Sequence, residues 1–242
     1  MGNAVEISKL RKEYNGKAAV DDIDIQIEED SLFALLGVNG AGKTTTIKML
    51  TGLVKPTSGD AAIFGHSIVR EIDRVKKIVN ISPQETSIAP NLTVRENLEF
   101  MAGIYGMDKD EIRKRVEEMI EKFSLGEVEK QRAKTLSGGW QRKISIAMAL
   151  ITKPKVVFLD EPTLGLDVLA RRELWKEIKR LKKEVTIVLT THYMEEAEAL
   201  ADKVAIMVEG KIRMAATVDG ILKATEKNNL EEAFVQVAMA ER

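Results

Sequence analysis

Short apolar runs alternate along the chain with longer stretches in which apolar positions recur every three to four residues. This alternation of strand-like and helix-like segments predicts an α/β fold with a mostly parallel sheet. The runs predicted as buried strands are 32–37, 77–82, 155–160, 185–190 and 203–210.

Two segments near the N-terminus, 4–10 and 19–28, mix apolar and polar positions instead of forming continuous apolar runs. Such alternation is typical of strands with one face in the core and one in water, so we predict an antiparallel β layer here. The segment 60–65 follows a turn-forming stretch and is expected to join this layer.

Between residues 90 and 151 strand-like runs nearly vanish. Thr93 with Glu96, and Asp108 with Glu111, have the spacing of capping boxes that open two helices, and a third helix is expected after the glycine pair at 138–139. We therefore predict one domain over 1–242. Its expected parts are an α/β core with the β layer over 1–89 and 152–216, an inserted helical sub-domain over 90–151, and a helical tail over 217–242.

Composition narrows the class of protein. A chain of 242 residues that is 44% hydrophobic can bury a sizeable core, and a net charge of −1 argues against general binding to nucleic acid. Cysteine is absent, which excludes disulfides, thiolate metal sites and a thiol nucleophile. No apolar run reaches the roughly 18 residues of a membrane span, and the start lacks a signal-peptide pattern, so we expect a cytoplasmic chain.

The segment 37–45, "GVNGAGKTT", joins a predicted strand to a predicted helix and matches the P-loop pattern G-x-x-x-x-G-K-[ST]. Backbone amides of such a loop cradle phosphate oxygens, aided by the helix N-terminus. Lys43 is expected to reach the β- and γ-phosphates, and Thr44 to hold Mg²⁺. The residues predicted to bind the nucleotide are Gly37, Val38, Asn39, Gly40, Ala41, Gly42, Lys43, Thr44 and Thr45.

A second candidate is the pair of carboxylates that ends the apolar run "VVFLDE". Asp160 at the end of a buried strand beside the P-loop is expected to orient Mg²⁺, usually through water. Glu161 leaves the strand and is expected to polarise a water molecule near the γ-phosphate. A well-placed base of this kind contributes about 10²–10⁴ in rate.

The segment Ser137, Gly138 and Gly139 directly precedes a strongly helical run. Ser137 is explained most simply as a helix N-cap, with the glycines as a tight entry. The alternative is a second anion site, in which a hydroxyl, two bare amides and a helix dipole face a phosphate. The sequence around these residues resembles the signature of the ATP-binding-cassette (ABC) ATPases, Leu-Ser-Gly-Gly-Gln, and Asp160 follows Ser137 by 23 residues, as suits that family.

Further motifs of the ABC family occur in order along the chain. Tyr14 lies where the family stacks an aromatic ring on adenine, and Gln84 resembles the Q-loop residue that senses Mg²⁺ and water. Asp167 ends a D-loop-like "PTLGLD", and His192 resembles the switch histidine at the γ-phosphate. One departure is Trp140, which stands where the signature usually has Gln; we expect the Ser-Gly-Gly phosphate site to survive it.

The resemblance implies a P-loop NTPase (RecA-like) fold, ATP and Mg²⁺ as cofactors, and catalytic roles for Glu161, His192 and Gln84. It implies Mg²⁺ contacts from Thr44, Gln84 and Asp160, and a head-to-tail dimer with a second copy or a related cassette. In that dimer each ATP lies between one P-loop and the opposite subunit's contacts, which are Ser137, Gly138, Gly139 and Asp167.

The segments "MEEAEALADKVAIMVEGKI" and "NLEEAFVQV" resemble the ABC-2 type drug, antibiotic or polysaccharide exporters. That likeness implies an ATPase subunit that drives export through a separate transmembrane permease, at the cytoplasmic face of the membrane and without nucleic acid as a partner. Two alternatives remain: a soluble cassette ATPase of DNA repair or translation, and a P-loop small-molecule kinase. Soluble cassette ATPases usually carry two cassettes, a long coiled coil or a zinc module, and the sequence shows none of these. A small-molecule kinase would have no use for the signature segment.

Overall fold

The computed structural model describes residues 2–239, which form two β-sheets and nine α-helices. The strands are β1 Asn3–Tyr14, β2 Lys17–Glu28, β3 Leu32–Leu36, β4 Ser58–Ile63, β5 His66–Ser67, β6 Val79–Ser82, β7 Val156–Asp160, β8 Thr186–Thr191, β9 Lys203–Val208 and β10 Lys211–Ala216. The helices are α1 Lys43–Leu50, α2 Ile72–Val75, α3 Val94–Ile104, α4 Lys109–Lys122, α5 Gly138–Leu150, α6 Val168–Leu181, α7 Met194–Leu200, α8 Val218–Thr225 and α9 Leu230–Met239.

The larger sheet has the strand order β10-β9-β3-β8-β7-β6 and is parallel except at β10, which pairs antiparallel with β9. Leu36 at the end of β3 pairs with Thr191 at the end of β8, and Thr190 pairs with Asp160 at the end of β7. Because parallel strands end at the same edge, the loops that follow β3, β7 and β8 emerge side by side. Binding sites of parallel α/β sheets are built from such loops.

Apolar side chains cover both faces of the central strand β3. Leu32 and Leu36 belong to a buried cluster that includes α3, α4 and α5, whereas Phe33 and Leu35 belong to a second cluster with β1, β2 and α1. A strand buried on both faces must be apolar at every position, which explains the unbroken run that predicted it.

The smaller sheet is antiparallel, with the order β2-β1-β4-β5. Along β2, residues Ile23, Ile25 and Ile27 are buried and the residues between them are exposed. This is the one-sided burial predicted from the alternating pattern. The β1–β2 layer covers the face of the larger sheet that carries the second cluster.

Helices α3, α4 and α5 lie between β6 and β7 in the chain. Thr93 and Glu96 form a complete capping box at the start of α3. Asp108 caps α4 by accepting hydrogen bonds from the amides of Asp110 (3.0 Å) and Glu111 (2.9 Å). Of these two predicted boxes, only the first has both halves in the described part of the chain.

The five predicted buried strands and the three segments of the β layer are all strands, whereas β5 and β10 were not predicted. The tail forms α8 and α9 up to residue 239, and 240–242 lie outside the described residues. The division into core, helical sub-domain and tail stays a prediction. Across residues 2–239, we find no helix with the length and apolar character that crossing a bilayer requires.

Candidate functional site

The loop between β3 and α1 has the backbone that the P-loop pattern predicts. A Cβ atom on Gly37 would lie 2.5 Å from the carbonyl oxygen of Met207, and one on Gly42 would lie 2.4 Å from that of Ala19. Gly42 also has a φ of +110°, which side chains with a Cβ rarely adopt. Both positions therefore require glycine for reasons of local packing alone.

This loop borders a cavity of about 270 Å³ at the edge where β3, β7 and β8 end. The cavity brings together residues that are far apart in sequence, from Ala19 in β2 to His192 just after β8. It is lined by Ala19, Asn39, Gly40, Gly42, Lys43, Thr44, Thr45, Gln84, Glu161, Leu164 and His192.

Lys43 is 5% exposed, and its ammonium group makes three polar contacts within the site. Nζ donates hydrogen bonds to the carbonyl oxygens of Gly37 (2.7 Å) and Val38 (3.3 Å). It also lies 3.1 Å from Oε1 of Glu161. A buried ammonium needs such partners, and a terminal phosphate at the cavity would offer equivalent oxygens.

Glu161 is fully enclosed between two cationic or polar side chains. Its Oε2 lies 2.7 Å from Nδ1 of His192, while Oε1 faces Lys43. Its amide donates to the Thr190 carbonyl at 3.2 Å and to the Thr190 hydroxyl at 3.0 Å. With a φ of +50°, Glu161 adopts the left-handed conformation, which costs a non-glycine residue about 1–2 kcal/mol.

Asp160 and Thr44 form the pair of oxygen donors expected at a magnesium site. The Thr44 hydroxyl donates to Oδ1 of Asp160 at 3.1 Å, and the Thr190 hydroxyl donates to the same oxygen at 2.6 Å. Hydroxyl and carboxylate oxygens are the donors that Mg²⁺ prefers, so these residues fit the ion. Among residues 2–239 there is no cluster of three or more acidic, His or Cys side chains that could hold a metal without other ligands. Such a site would take further oxygens from phosphate and water.

The predicted P-loop residues do not all face the cavity. Asn39, Gly40, Gly42, Lys43, Thr44 and Thr45 line it, as does the Q-loop residue Gln84. Gly37, Val38 and Ala41 lie in the same loop but outside the lining set. Tyr14 ends β1 near the β1–β2 turn, is 46% exposed, and has the Lys12 ammonium 5.1 Å from its ring centroid. In the described residues it does not line the cavity, and its contact with adenine stays a prediction.

The signature residues lie apart from this cavity, at the N-terminus of α5. Ser137 is the N-cap residue of α5, but its hydroxyl makes no capping hydrogen bond with the described amides of the helix. The simple N-cap explanation therefore does not account for the serine side chain. Gln141 donates instead to the carbonyl oxygens of Ala133 (3.2 Å) and Leu136 (3.0 Å), so it braces the segment before the signature.

The signature packs against the segment that ends at Asp167. A Cβ on Gly139 would lie 3.2 Å from Cβ of Ala170, whereas one on Gly138 would meet only Cδ2 of Leu166, at 3.6 Å. Asp167 caps α6 by accepting from the amides of Leu169 (2.9 Å) and Ala170 (3.0 Å). None of Ser137, Gly138, Gly139 and Asp167 lines the P-loop cavity of its own chain within the described residues.

Four residues at or behind the site were not predicted. Ala19 and Leu164 line the cavity, while the Thr190 hydroxyl donates to the Asp160 carboxylate and accepts from the Glu161 amide. Glu196 in α7 is completely buried, and its Oε1 accepts from the Thr163 hydroxyl (2.8 Å) and the Trp175 indole (3.0 Å). Within residues 2–239 its Oε2 has no hydrogen-bond partner, and burial raises the pKa of this carboxyl. The polar "TTH" end of an otherwise apolar run signals Thr190, whereas no sequence signal points to Ala19.

Comparisons with known proteins decide the family. Residues 20–164 match the family model described as ABC transporter. The chain is 39% identical over 228 residues to the daunorubicin/doxorubicin resistance ATP-binding protein DrrA of Streptomyces peucetius, an overlap that covers 94% of this chain and 69% of DrrA. This chain belongs to the ABC transporter family.

Other relatives of this cassette are longer or have solved structures. It is 44% identical over 213 residues to the phospholipid-transporting ATPase ABCA3 of Homo sapiens, covering 86% of this chain but 12% of that protein. A solved ATP-binding subunit of an ABC transporter superposes with a TM-score of 0.85 at 28% identity, over 97% of this chain and 99% of that one. The ATP-binding cassette MJ0796, solved as a dimer with ADP and Pi, gives 0.78 at 25% identity, over 88% and 98%.

These likenesses confirm the predicted P-loop NTPase fold and establish this cassette as an ATPase domain of the ABC family. The geometry fits that assignment, because the P-loop, Glu161 and His192 line one cavity. Asp160 lies behind this lining and bonds the P-loop residue Thr44.

Proposed function

We propose that this cassette binds and hydrolyses ATP at the P-loop cavity and thereby drives export through a separate membrane-spanning permease. The observation that carries the proposal is the convergence of Lys43, Glu161 and His192 at the mouth of the P-loop, with Glu161 within 3.1 Å of both partners. Hydrolysis of a terminal phosphate requires a base, an ammonium group that binds the phosphate and a further polar group close together.

In the proposed reaction Lys43 exchanges its loop carbonyls for β- and γ-phosphate oxygens. Thr44, Asp160 and Gln84 would hold Mg²⁺, and the ion would supply positive charge that offsets the negative charge of the phosphates. Glu161 orients and polarises the attacking water, and His192 fixes the Glu161 carboxylate and faces the γ-phosphate. The contacts of Glu161 with Lys43 and His192 support this role, because they hold its carboxylate at the cavity.

The signature supports a second contact with ATP that is made by another subunit. The Ser137 hydroxyl makes no capping hydrogen bond to the described amides, and Gly138 has room for a Cβ atom that it does not carry. Both features are explained if a phosphate held by a second cassette approaches the N-terminus of α5. Two cassettes packed head to tail would then share each ATP between the P-loop of one subunit and Ser137, Gly138, Gly139 and Asp167 of the other.

The direction of transport, export, is proposed from the names of two relatives. DrrA is named for drug resistance and ABCA3 for phospholipid transport, and this chain covers 69% and 12% of them respectively. These names favour an ABC-2 type exporter whose permease holds the cassette at the cytoplasmic face of the membrane. The alternatives of a DNA-repair or translation ATPase and of a small-molecule kinase have no support among these relatives.

The central test is Glu161→Gln, which keeps the shape of the side chain but removes the base. With ATP and Mg²⁺ it is expected to lose turnover and to accumulate a dimer in size-exclusion chromatography with light scattering. Ser137→Arg in the same background is the matched variant; it should bind ATP normally but remain monomeric. A Glu161→Gln protein that stays monomeric at saturating ATP and Mg²⁺ would overturn the shared-nucleotide arrangement.

A second test addresses the permease. Co-expression with a multi-span membrane protein encoded beside this chain is expected to move the cassette into the membrane fraction and to stimulate its ATP turnover. A chain that stays in the soluble fraction and binds DNA would instead favour the soluble-ATPase alternative.

A further inference from the structure

The side chain of Arg142 runs from α5 to the loop that follows β6. It is 5% exposed, and its guanidinium donates to two consecutive carbonyl oxygens: Nη1 to Pro83 and Nη2 to Gln84, both at 2.7 Å. Strand β6 ends at Ser82, so these two carbonyls lie just beyond its ladder. Arg142 therefore supplies the hydrogen bonds that the sheet no longer provides there.

Burying a guanidinium is costly, and burial lowers the pKa of Arg142 from its ordinary value. Arginine suits this position better than lysine, because the planar guanidinium can bond two neighbouring acceptors at once. The charge of Asp160 favours the cationic form. What distinguishes this buried cation is the position of its acceptors, which lie in the segment that carries the cavity residue Gln84.

A second bond fixes the same helix to the same strand. The hydroxyls of Ser145 in α5 and Ser82 in β6 lie 2.8 Å apart, and both side chains are buried. Ser145 follows Arg142 by about one helical turn. The two contacts together join α5 to the end of β6 and to the loop that carries Gln84.

The two ends of this connection belong to different halves of the proposed mechanism. Gln84 lines the P-loop cavity, whereas α5 begins at the signature, and Gly138 lies only about 6 Å along the helix axis from Arg142. We infer that Arg142 is a positioning residue, which holds Gln84 and the signature helix as one unit so that nucleotide in the cavity sets the placement of the signature. This inference rests on the proposed shared-nucleotide dimer.

The competing explanation is that Arg142 only stabilises α5, and the chain offers a matched control for it. Arg115 is also buried, at 4% exposure, and also donates to two consecutive carbonyls of α5 and its end, Leu150 (2.7 Å) and Ile151 (2.8 Å). It also pairs with Glu118. Arg115 belongs to α4, and its two acceptors lie at the end of α5 that is opposite the signature. Arg115→Gln therefore removes comparable hydrogen bonds without affecting the Gln84 loop.

The test measures the ATP concentration that gives half-maximal dimer in the Glu161→Gln background. A hydrogen bond to a charged group is worth at least about tenfold in an equilibrium. Arg142→Gln is therefore expected to raise this concentration at least about tenfold while the affinity of the monomer for ATP stays unchanged. Arg142→Lys keeps the charge and can bond one carbonyl, so its ATP concentration for half-maximal dimer should lie between that of Arg142→Gln and that of the protein with Arg142 intact. Arg115→Gln should lower the unfolding midpoint but leave the ATP dependence of the dimer unchanged.

A double-mutant cycle with Gln84→Ala separates positioning from simple support. If Arg142 acts by placing the Gln84 side chain, Arg142→Gln should have little further effect once that side chain is absent. Additive effects of the two substitutions, or an effect of Arg115→Gln as large as that of Arg142→Gln, would overturn the inference. Failure of Glu161→Gln itself to dimerise would overturn the proposed function and this inference with it, whereas a dimer insensitive to Arg142→Gln would overturn the inference alone.

Discussion

The two signature glycines differ in what their own chain demands of them, and Gly138→Ala exploits this difference. An added Cβ at Gly138 meets only Leu166, at an ordinary contact distance of 3.6 Å, whereas one at Gly139 comes within 3.2 Å of Ala170. Neither glycine has a positive φ. Nothing in the described chain therefore prevents alanine at position 138, and folding alone does not account for the glycine.

The expected effect on stability is small and favourable. Alanine is better than glycine in a helix by up to about 1 kcal/mol, and Gly138 is the first residue of α5, where the gain is smaller. One kcal/mol raises the melting temperature of a chain this size by about 2–4 °C. Gly103→Ala in α3, whose added Cβ meets no atom within 4 Å, is the control for this propensity effect.

The expected effect on function is large and unfavourable. In the proposed dimer the new methyl group lies where the phosphate held by the other subunit meets the α5 amides. Loss of one such donor contact in comparable oxyanion sites costs about 10²–10³ in kcat. We therefore expect Gly138→Ala to lower ATP turnover by at least about a hundredfold, and the same change to abolish the ATP-dependent dimer of Glu161→Gln.

The assay combines steady-state phosphate release, thermal unfolding and binding of a fluorescent ATP analogue to the monomer. Gly103→Ala should keep wild-type turnover, and Gly138→Ala should keep wild-type binding to the P-loop. A Gly138→Ala protein that is stable and hydrolyses ATP at the wild-type rate would show that no partner nucleotide approaches this glycine.

Three further changes test the local physics. Because burial raises the pKa of Glu196, the folded protein keeps a proton that the unfolded chain releases near pH 4.3. The free energy of unfolding of wild type, measured by urea titration and compared with that of Glu196→Gln, should therefore fall from pH 5 upward until Glu196 ionises in the folded protein. A difference between the two proteins that does not change with pH would contradict this. Gly42→Ala, whose Cβ would lie 2.4 Å from the Ala19 oxygen, should cost at least about 2 kcal/mol in the same titration. Asp108→Ala should cost about 1 kcal/mol through the lost cap of α4, with unchanged ATP turnover; altered turnover would show that this helix end affects the site.

Sequence patterns predicted the strands and helices that are determined by their own residues. The apolar run of β3 and the Thr93–Glu96 capping box identify their elements because burial on both faces and reciprocal capping leave a direct mark on the sequence. The strand β10 was not predicted, since its residues are mostly half-buried and it lies at the sheet edge, where neither alternation nor a continuous apolar run is required. The two-residue β5 is too short to produce any period.

The candidate site was predictable to the extent that each residue belongs to a recognisable motif. Lys43, Thr44, Asp160 and His192 were found in this way, and the parallel order β3-β8-β7 then brings them together. Contacts made across the fold by single side chains were not predictable. Ala19 reaches the cavity only because β2 packs over the P-loop, and Arg142 reaches the Gln84 loop only because α5 lies against β6.

Glu161 shows why the sequence predicts that two adjacent carboxylates matter but not how both can serve one cavity. In a continuing strand, successive side chains point to opposite faces, so Asp160 and Glu161 would be directed apart. The φ of +50° at Glu161 ends this alternation one residue past β7. Asp160 can then bond Thr44 while Glu161 contacts Lys43 in the same site. At Glu161 the cost of about 1–2 kcal/mol for this backbone is opposed by the side-chain contacts to Lys43 and His192 and by the hydrogen bond of its amide to the Thr190 hydroxyl, so the same contacts that place the carboxylate also stabilise the turn.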